Sequence, residues 1–199
     1  LLSRGLGDVY KRQDYDNSNE KSLSFFAMDT YMNFKVYGEN AKTAVNEASA
    51  LVEDLENKLS VTNPESEISK INSSANNAIK ISEDTLALIS TALDVNKKSG
   101  GAFDITIYPI VKLWGFTTGK YEVPNKEEIL KNLEYVDSSN ITLNEKEGTV
   151  TVPQNIEIDL GGIAKGYAGK KAAEKIRSMG IESLSLIHIS EPTRQEAIS

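Results

Sequence analysis

Between residues 26 and 37 apolar and polar positions alternate. Phe26, Met28, Thr30, Met32, Phe34 and Val36 share one face, which predicts a half-buried strand over Phe26–Tyr37. Gly38-Glu39-Asn40 turns the chain, and the period then changes. Ala48, Leu51, Val52, Leu55 and Leu59 recur at helical spacing, so an amphipathic helix is expected over Ala41–Leu59. Ser60–Asn72 is rich in turn formers and closes on a short helix. Ser82 reads as an N-cap, with Glu83 and Asp84 in the first turn where acids favour the helix dipole. Leu86, Ile89 and Leu93 carry that helix to Lys97-Lys98, and Gly100-Gly101 stop it. Lys126–Leu133 predicts a short helix after Pro124. Ile141–Leu143 and Thr149–Val152 flank N-E-K-E-G and predict a hairpin. Asn155–Leu160 predicts another strand. A helix follows from Gly162 to Met179, with Ala164, Ala168, Ala172, Ile176 and Met179 on one face and Gly180 past its end. Strands, helices, hairpin, strand and helix follow one another without a regular β-α alternation. The expected class is α+β, a mixed or antiparallel sheet packed with helices.

Composition narrows the chemistry. A chain of 199 residues, 39% apolar and 26% charged, is long enough for one domain with a buried core. A net charge of −7 argues against a nucleic-acid surface. Arg4, Arg12, Arg177 and Arg194 are the only arginines, so a bound phosphate must rely on lysine, backbone N–H groups or a metal. The lack of cysteine excludes disulfides, thiol catalysis and Cys-ligated zinc. No apolar run is long enough to span a membrane, and Leu1–Gln13 lacks the apolar core of a signal peptide.

The two ends differ from the middle. Leu1–Gln13 and Ser183–Ser199 hold three of the four arginines and the only histidine, His188. Both resemble translated adaptor sequence and are expected to be non-native, although Leu184, Leu186 and His188 alternate as an edge strand would. His188 is therefore a poor catalytic candidate. Asp14–Ser24 is expected to be a polar linker, which leaves residues 25–182 as the domain.

Four stretches bear on function. In I-D-L-G-G-I-A-K-G-Y-A, Asp159 ends an apolar run, Gly161 and Gly162 follow, and Lys165 arrives in the first turn of a helix. Bare backbone there admits a ligand closely, and a helix N-terminus offers free N–H groups. A cation at that position opposes the dipole by about 0.3–1 kcal/mol unless an anion sits beside it. This is neither a Walker A loop nor G-x-G-x-x-G; the competing reading is an ordinary strand-to-helix turn with solvated charges. In G-G-A-F-D-I-T, Asp104 lies inside an apolar run and needs a partner if buried: a metal, a lysine or a ligand donor. Tyr108, Trp114 and Phe116 could wall a flat aromatic ligand, although such residues more often build a core. Met28-Asp29-Thr30 adds only one polar residue to the first strand.

Together these stretches resemble one family. A-M-D-T (Ala27–Thr30), L-S-V-T-N-P-E-S-E-I-S-K-I-N (Leu59–Asn72), G-G-A-F-D-I-T-I-Y-P (Gly100–Pro109), L-W-G-F (Leu113–Phe116), Val123-Pro124 and I-D-L-G-G-I-A-K-G-Y-A (Ile158–Ala168) look like the ApbE-type FAD:protein FMN transferases, formerly labelled thiamine-biosynthesis lipoproteins. The resemblance runs from Phe25 to Glu182 in the family's order and spacing.

The resemblance implies a Mg²⁺-dependent enzyme. It would move FMN from FAD to a threonine hydroxyl of a target flavoprotein, often a membrane redox-pump subunit, and release AMP. Some members instead hydrolyse FAD to FMN and AMP; a flavin-binding protein without turnover is a third possibility. By matched position Met28, Ala102, Phe103, Asp104, Asp159 and Lys165 would contact FAD, and the Gly162 carbonyl would reach Mg²⁺. The family's usual M-G-T is Met28-Asp29-Thr30 here, and Thr62 stands where some members have tyrosine. The family pattern continues past Glu182 with a glycine-rich strand and with the aspartate and threonine that complete the metal shell. The chain is therefore expected to be truncated and weakly active alone. Members are commonly exported and lipid-anchored in the bacterial cell envelope, which sets the expected location of the full-length protein.

Overall fold

The computed structural model describes residues 19–189. Its first sheet corrects the single strand expected from residue 26 onward. β1 (Glu20–Ala27) and β2 (Thr30–Tyr37) form an antiparallel hairpin that pairs Ala27 with Thr30. Met28 and Asp29 make the turn in left-handed backbone, with φ of 53° and 56°. The alternation across 26–37 is real but reverses at the turn. Leu23, Phe25 and Ala27 face the core with Met32, Phe34 and Val36, whereas Phe26 pairs with Tyr31 on the outside. Residues 20–24, expected to belong to a polar linker, are likewise part of β1, which uses Leu23 as a core residue; residues 14–18 lie outside the described residues.

Of the C-terminal stretch expected to be non-native, residues 183–189 form a strand and residues 190–199 lie outside the described residues. β6 (Ser183–Ile189) pairs antiparallel with the free edge of β2, giving the order β1-β2-β6. Leu184 and Leu186 fall on the core side, which is the edge-strand alternation visible in the sequence. Leu1–Gln13 lies outside the described residues.

Two helices cover this sheet. α1 (Ala41–Leu59) buries Ala44, Val45, Ala48, Val52, Leu55 and Leu59 against it. α6 (Gly161–Ser178) lies along α1 and buries Ala164, Ala168, Ala172 and Ile176, the small-residue face expected from the sequence. Burying each Leu- or Ile-sized side chain contributes about 1.5–3 kcal/mol. α2 (Glu67–Ser73) and α3 (Glu83–Lys98) start as their sequences dictate, with Ser66 and Ser82 side chains accepting from the N3 amides of Ser69 and Thr85. Asp84 in the first turn of α3 accepts from Tyr167 (2.8 Å) and pairs with Lys171 (3.1 Å), tying α3 to α6.

A second, smaller sheet has the order β3-β5-β4, from Ile79–Lys80, Thr149–Thr151 and Thr142–Asn144. α4 (Tyr108–Leu113) and α5 (Lys126–Leu133) complete the described elements, the latter with a capping box between Asn125 and Glu128. The strand expected over Asn155–Leu160 joins no ladder. Its backbone is satisfied otherwise: the Asn72 side chain accepts from the Ile158 N–H (2.8 Å) and donates to the Ile158 carbonyl (2.9 Å), and the Asp159 N–H reaches the Ile105 carbonyl (2.8 Å). The result is the α+β class read from the sequence. No helix among the described residues is long and apolar enough to cross a membrane.

Candidate active site

A cavity of ≈ 520 Å³ opens where four parts of the chain meet: the β1–β2 turn, the end of α1, the loop after α4 and the start of α6. Three of the sequence-predicted residues converge there. Met28 comes from the hairpin turn, and Asp159 and Lys165 come from either side of the α6 N-terminus. Asp159 Oδ1 accepts from the Gly161 N–H at 2.7 Å, so the acid closes a tight turn into the helix. A side chain at Gly161 would bring its Cβ to 3.1 Å from that oxygen. The Gly162 N–H has no acceptor among the described residues, and Lys165 has no ion-pair partner among them. The cavity therefore carries an unpaired ammonium, that of Lys165, beside a helix tip whose positive end favours an anion.

The facing wall is aromatic. Trp114 and Phe116 lie parallel, 6.2 Å between centroids, and Tyr121 is tilted against Phe116 at 6.1 Å. Phe116 and Tyr121 line the cavity. Tyr108 is instead 8% exposed and belongs to the core, the commoner role weighed for it. Thr62, Ser60 and Glu56 add polar groups to the wall. Glu56 and Tyr121 carry no sequence signal: the first reads as one more acid on an amphipathic helix, the second as part of a polar loop.

Ala102, Phe103, Asp104 and Gly162 do not line this cavity. Phe103 packs on Gly162, where an added Cβ would come to 3.0 Å from the Phe103 ring. Asp104, which the sequence left needing a metal, a lysine or a ligand donor, is satisfied by hydroxyls and amides. Its carboxylate accepts from the Thr106 N–H (2.8 Å) and Oγ1 (2.6 Å), from the Ser138 N–H (3.0 Å) and Oγ, and from Asn96 Nδ2 (3.0 Å). Burial pushes its pKa up, but the bonds from Ser138 and Thr106 outweigh burial and hold the carboxyl below its usual range. Asp104 thereby caps the 3₁₀ turn Ile105–Ile107, whose first carbonyl grips Asp159. Its tie to the cavity runs through that backbone.

The donor set does not make up a magnesium site. No group of three or more His, Cys, Asp or Glu side chains among the described residues could hold a metal ion. Mg²⁺ demands a near-octahedral oxygen shell, and the Gly162 carbonyl with Asp159 falls short of one. A second cavity of ≈ 430 Å³, between α2, α4, α5 and the Val152–Glu157 segment, contains none of the sequence-predicted residues.

Comparisons with known proteins converge on one group. Residues 28–190 match the model of the ApbE family. A FAD:protein FMN transferase of Haemophilus influenzae is 31% identical over 175 residues, an alignment covering 81% of this chain and 50% of that protein. One from Vibrio cholerae is 29% identical over 168 residues with the same coverage. The crystal structure of an ApbE protein from Thermotoga maritima superposes with a TM-score of 0.80 at 31% identity, covering 85% of this chain and 56% of that one. The chain thus spans about half the length of the curated relatives it matches. The match takes in the β1–β2 turn, the Asp104 loop and the α6 tip in a single alignment, and the chain belongs to the ApbE family.

Proposed function

We propose that the full-length protein is a FAD:protein FMN transferase, as its relatives are named. The observation that carries this reading is the joining of Lys165 and the α6 tip to the Phe116–Tyr121 wall in one cavity. A dinucleotide of flavin and adenine needs both: an anion grip for its diphosphate and flat apolar surface for a ring.

The reaction balances as a phosphoryl transfer. The acceptor threonine Oγ attacks the FMN-side phosphorus, an ester bond forms, and the bond from that phosphorus to the bridging oxygen breaks. AMP leaves with the bridging oxygen, and the hydroxyl proton is lost. Lys165, with the positive end of α6 beside it, would hold the diphosphate and offset the charge that gathers on the departing oxygen. Asp159 would keep the turn in register beneath them, and Met28 would close the nucleotide side. The Mg²⁺ requirement and the threonine acceptor on a membrane redox subunit belong to the proposal through family likeness. So does an exported, lipid-anchored location. The described residues form no metal shell, so no step here is routed through the metal.

The test is direct. Full-length protein incubated with FAD, Mg²⁺ and an acceptor protein should give stoichiometric AMP and an acceptor heavier by one FMN residue on a threonine. AMP without modified acceptor would instead indicate a FAD pyrophosphatase. FAD bound with neither product would mean a flavin-binding protein without turnover.

A further inference from the structure

The Met28–Asp29 turn raises a question that the ligand reading does not answer. Two non-glycine residues in succession hold left-handed backbone, with φ of 53° and 56°. Two-residue hairpin turns of this kind favour Asn-Gly, because side chains resist positive φ. Ala27 and Thr30 close the ladder on either side, so the Met28 N–H has no strand partner. Its acceptor is Glu56 Oε1, 2.8 Å away and 28 residues along the chain.

We infer that Glu56 is a positioning residue, whose carboxylate holds the left-handed turn at the cavity rim and so places Met28 toward the ligand. The inference rests on the proposed reading of the cavity as a FAD site. Glu56 is well mounted for the task. It sits in the last turn of α1 between the buried Leu55 and Leu59, and its own carbonyl accepts the capping Ser60 N–H at 2.9 Å. It forms no ion pair among the described residues, so charge pairing does not account for its placement. It also lines the cavity. An acid there opposes a diphosphate, so its contribution is to the shape of the wall and not to the grip on phosphate.

Three variants test this, in the 199-residue chain for hydrogen exchange and in the full-length protein for FAD binding. A hydrogen bond to a charged acceptor is lost in Glu56→Ala and replaced by an amide acceptor in Glu56→Gln. Without ligand, hydrogen exchange at the Met28 amide should quicken roughly tenfold in Glu56→Ala and stay near wild type in Glu56→Gln. Binding of FAD, followed by flavin fluorescence, should weaken roughly tenfold in Glu56→Ala and recover in Glu56→Gln. Adding Asp29→Gly to Glu56→Ala should restore part of the affinity, since glycine relaxes the turn without the carboxylate. A Met28 amide equally protected in Glu56→Ala would overturn the inference, as would unchanged FAD affinity. If the full-length wild type binds no FAD, the functional reading falls, while the exchange measurement still decides whether Glu56 holds the turn.

Discussion

Asp104 is the residue whose environment departs furthest from what its neighbours in sequence suggest. A carboxylate between Phe103 and Ile105 needs a metal, a lysine or a ligand donor if buried, yet three side chains and two backbone amides satisfy it. Ser138 is the donor that sequence could not reveal, because it arrives from 34 residues away in a polar stretch. Asp104→Ala should cost about 1–3 kcal/mol in urea unfolding, since it strands half-buried donors. The pH dependence follows from the lowered folded pKa. The stabilisation is fully present above the unfolded value, near pH 4, and is lost as pH falls through the folded value. Wild type should therefore lose stability more steeply than Asp104→Asn below about pH 4, as read by denaturant midpoints across an acid series. Lys165 behaves oppositely. Its placement against a helix dipole was legible in the sequence, which left a solvated charge as the competing reading, and among the described residues it has no ion-pair partner. Lys165→Ala should weaken FAD binding roughly tenfold with little change in unfolding, as isothermal titration and a thermal melt would report.

At the scale of elements, the helices were the legible part. α1, α3, α5 and α6 follow their apolar period and their caps to within a residue or two. The β1–β2 hairpin was not legible, because Met-Asp carries none of the glycine signal that marks a left-handed turn. Asn155–Leu160 misled for another reason: its burial alternates from Ile156 on, but Asn155 is left-handed, and the backbone is satisfied by the Asn72 side chain and by the Ile105 and Pro153 carbonyls. The aromatic wall depends on a loop that sequence patterns do not describe. Gly115 has φ of 72°, and a Cβ there would lie 1.8 Å from the Lys120 carbonyl oxygen. That close approach folds Trp114–Glu122 back on itself, with the Glu122 N–H on the Trp114 carbonyl. Gly115→Ala must open the loop and part Phe116 and Tyr121. FAD affinity should fall several-fold while the melting temperature moves little, and the emission of Trp114, the sole tryptophan, should shift.

At the scale of the whole molecule, the first sheet has one covered face and, among the described residues, one bare one. Phe26 and Tyr31, 58% and 57% exposed, stack edge to face on the bare side, and Ile187 lies two strands over at 50%. β1 and β6 are the sheet's outer strands. Exposed apolar surface beside open strand edges favours self-association. Sedimentation should show the 199-residue chain growing heavier with concentration, and Phe26→Thr with Tyr31→Thr should suppress this. α2 and the segment that leads into α6 are joined through a different kind of link. Asn72 and Ile158 are 86 residues apart, and one amide group closes both bonds between them. A ladder yields only when many bonds part together, whereas this latch opens with a single rotamer change. Ile158 and Leu160 stay fully buried on either side of Asp159, whose N–H keeps the Ile105 carbonyl, so a turn of the Asn72 amide alone slackens this backbone without freeing the tip of α6.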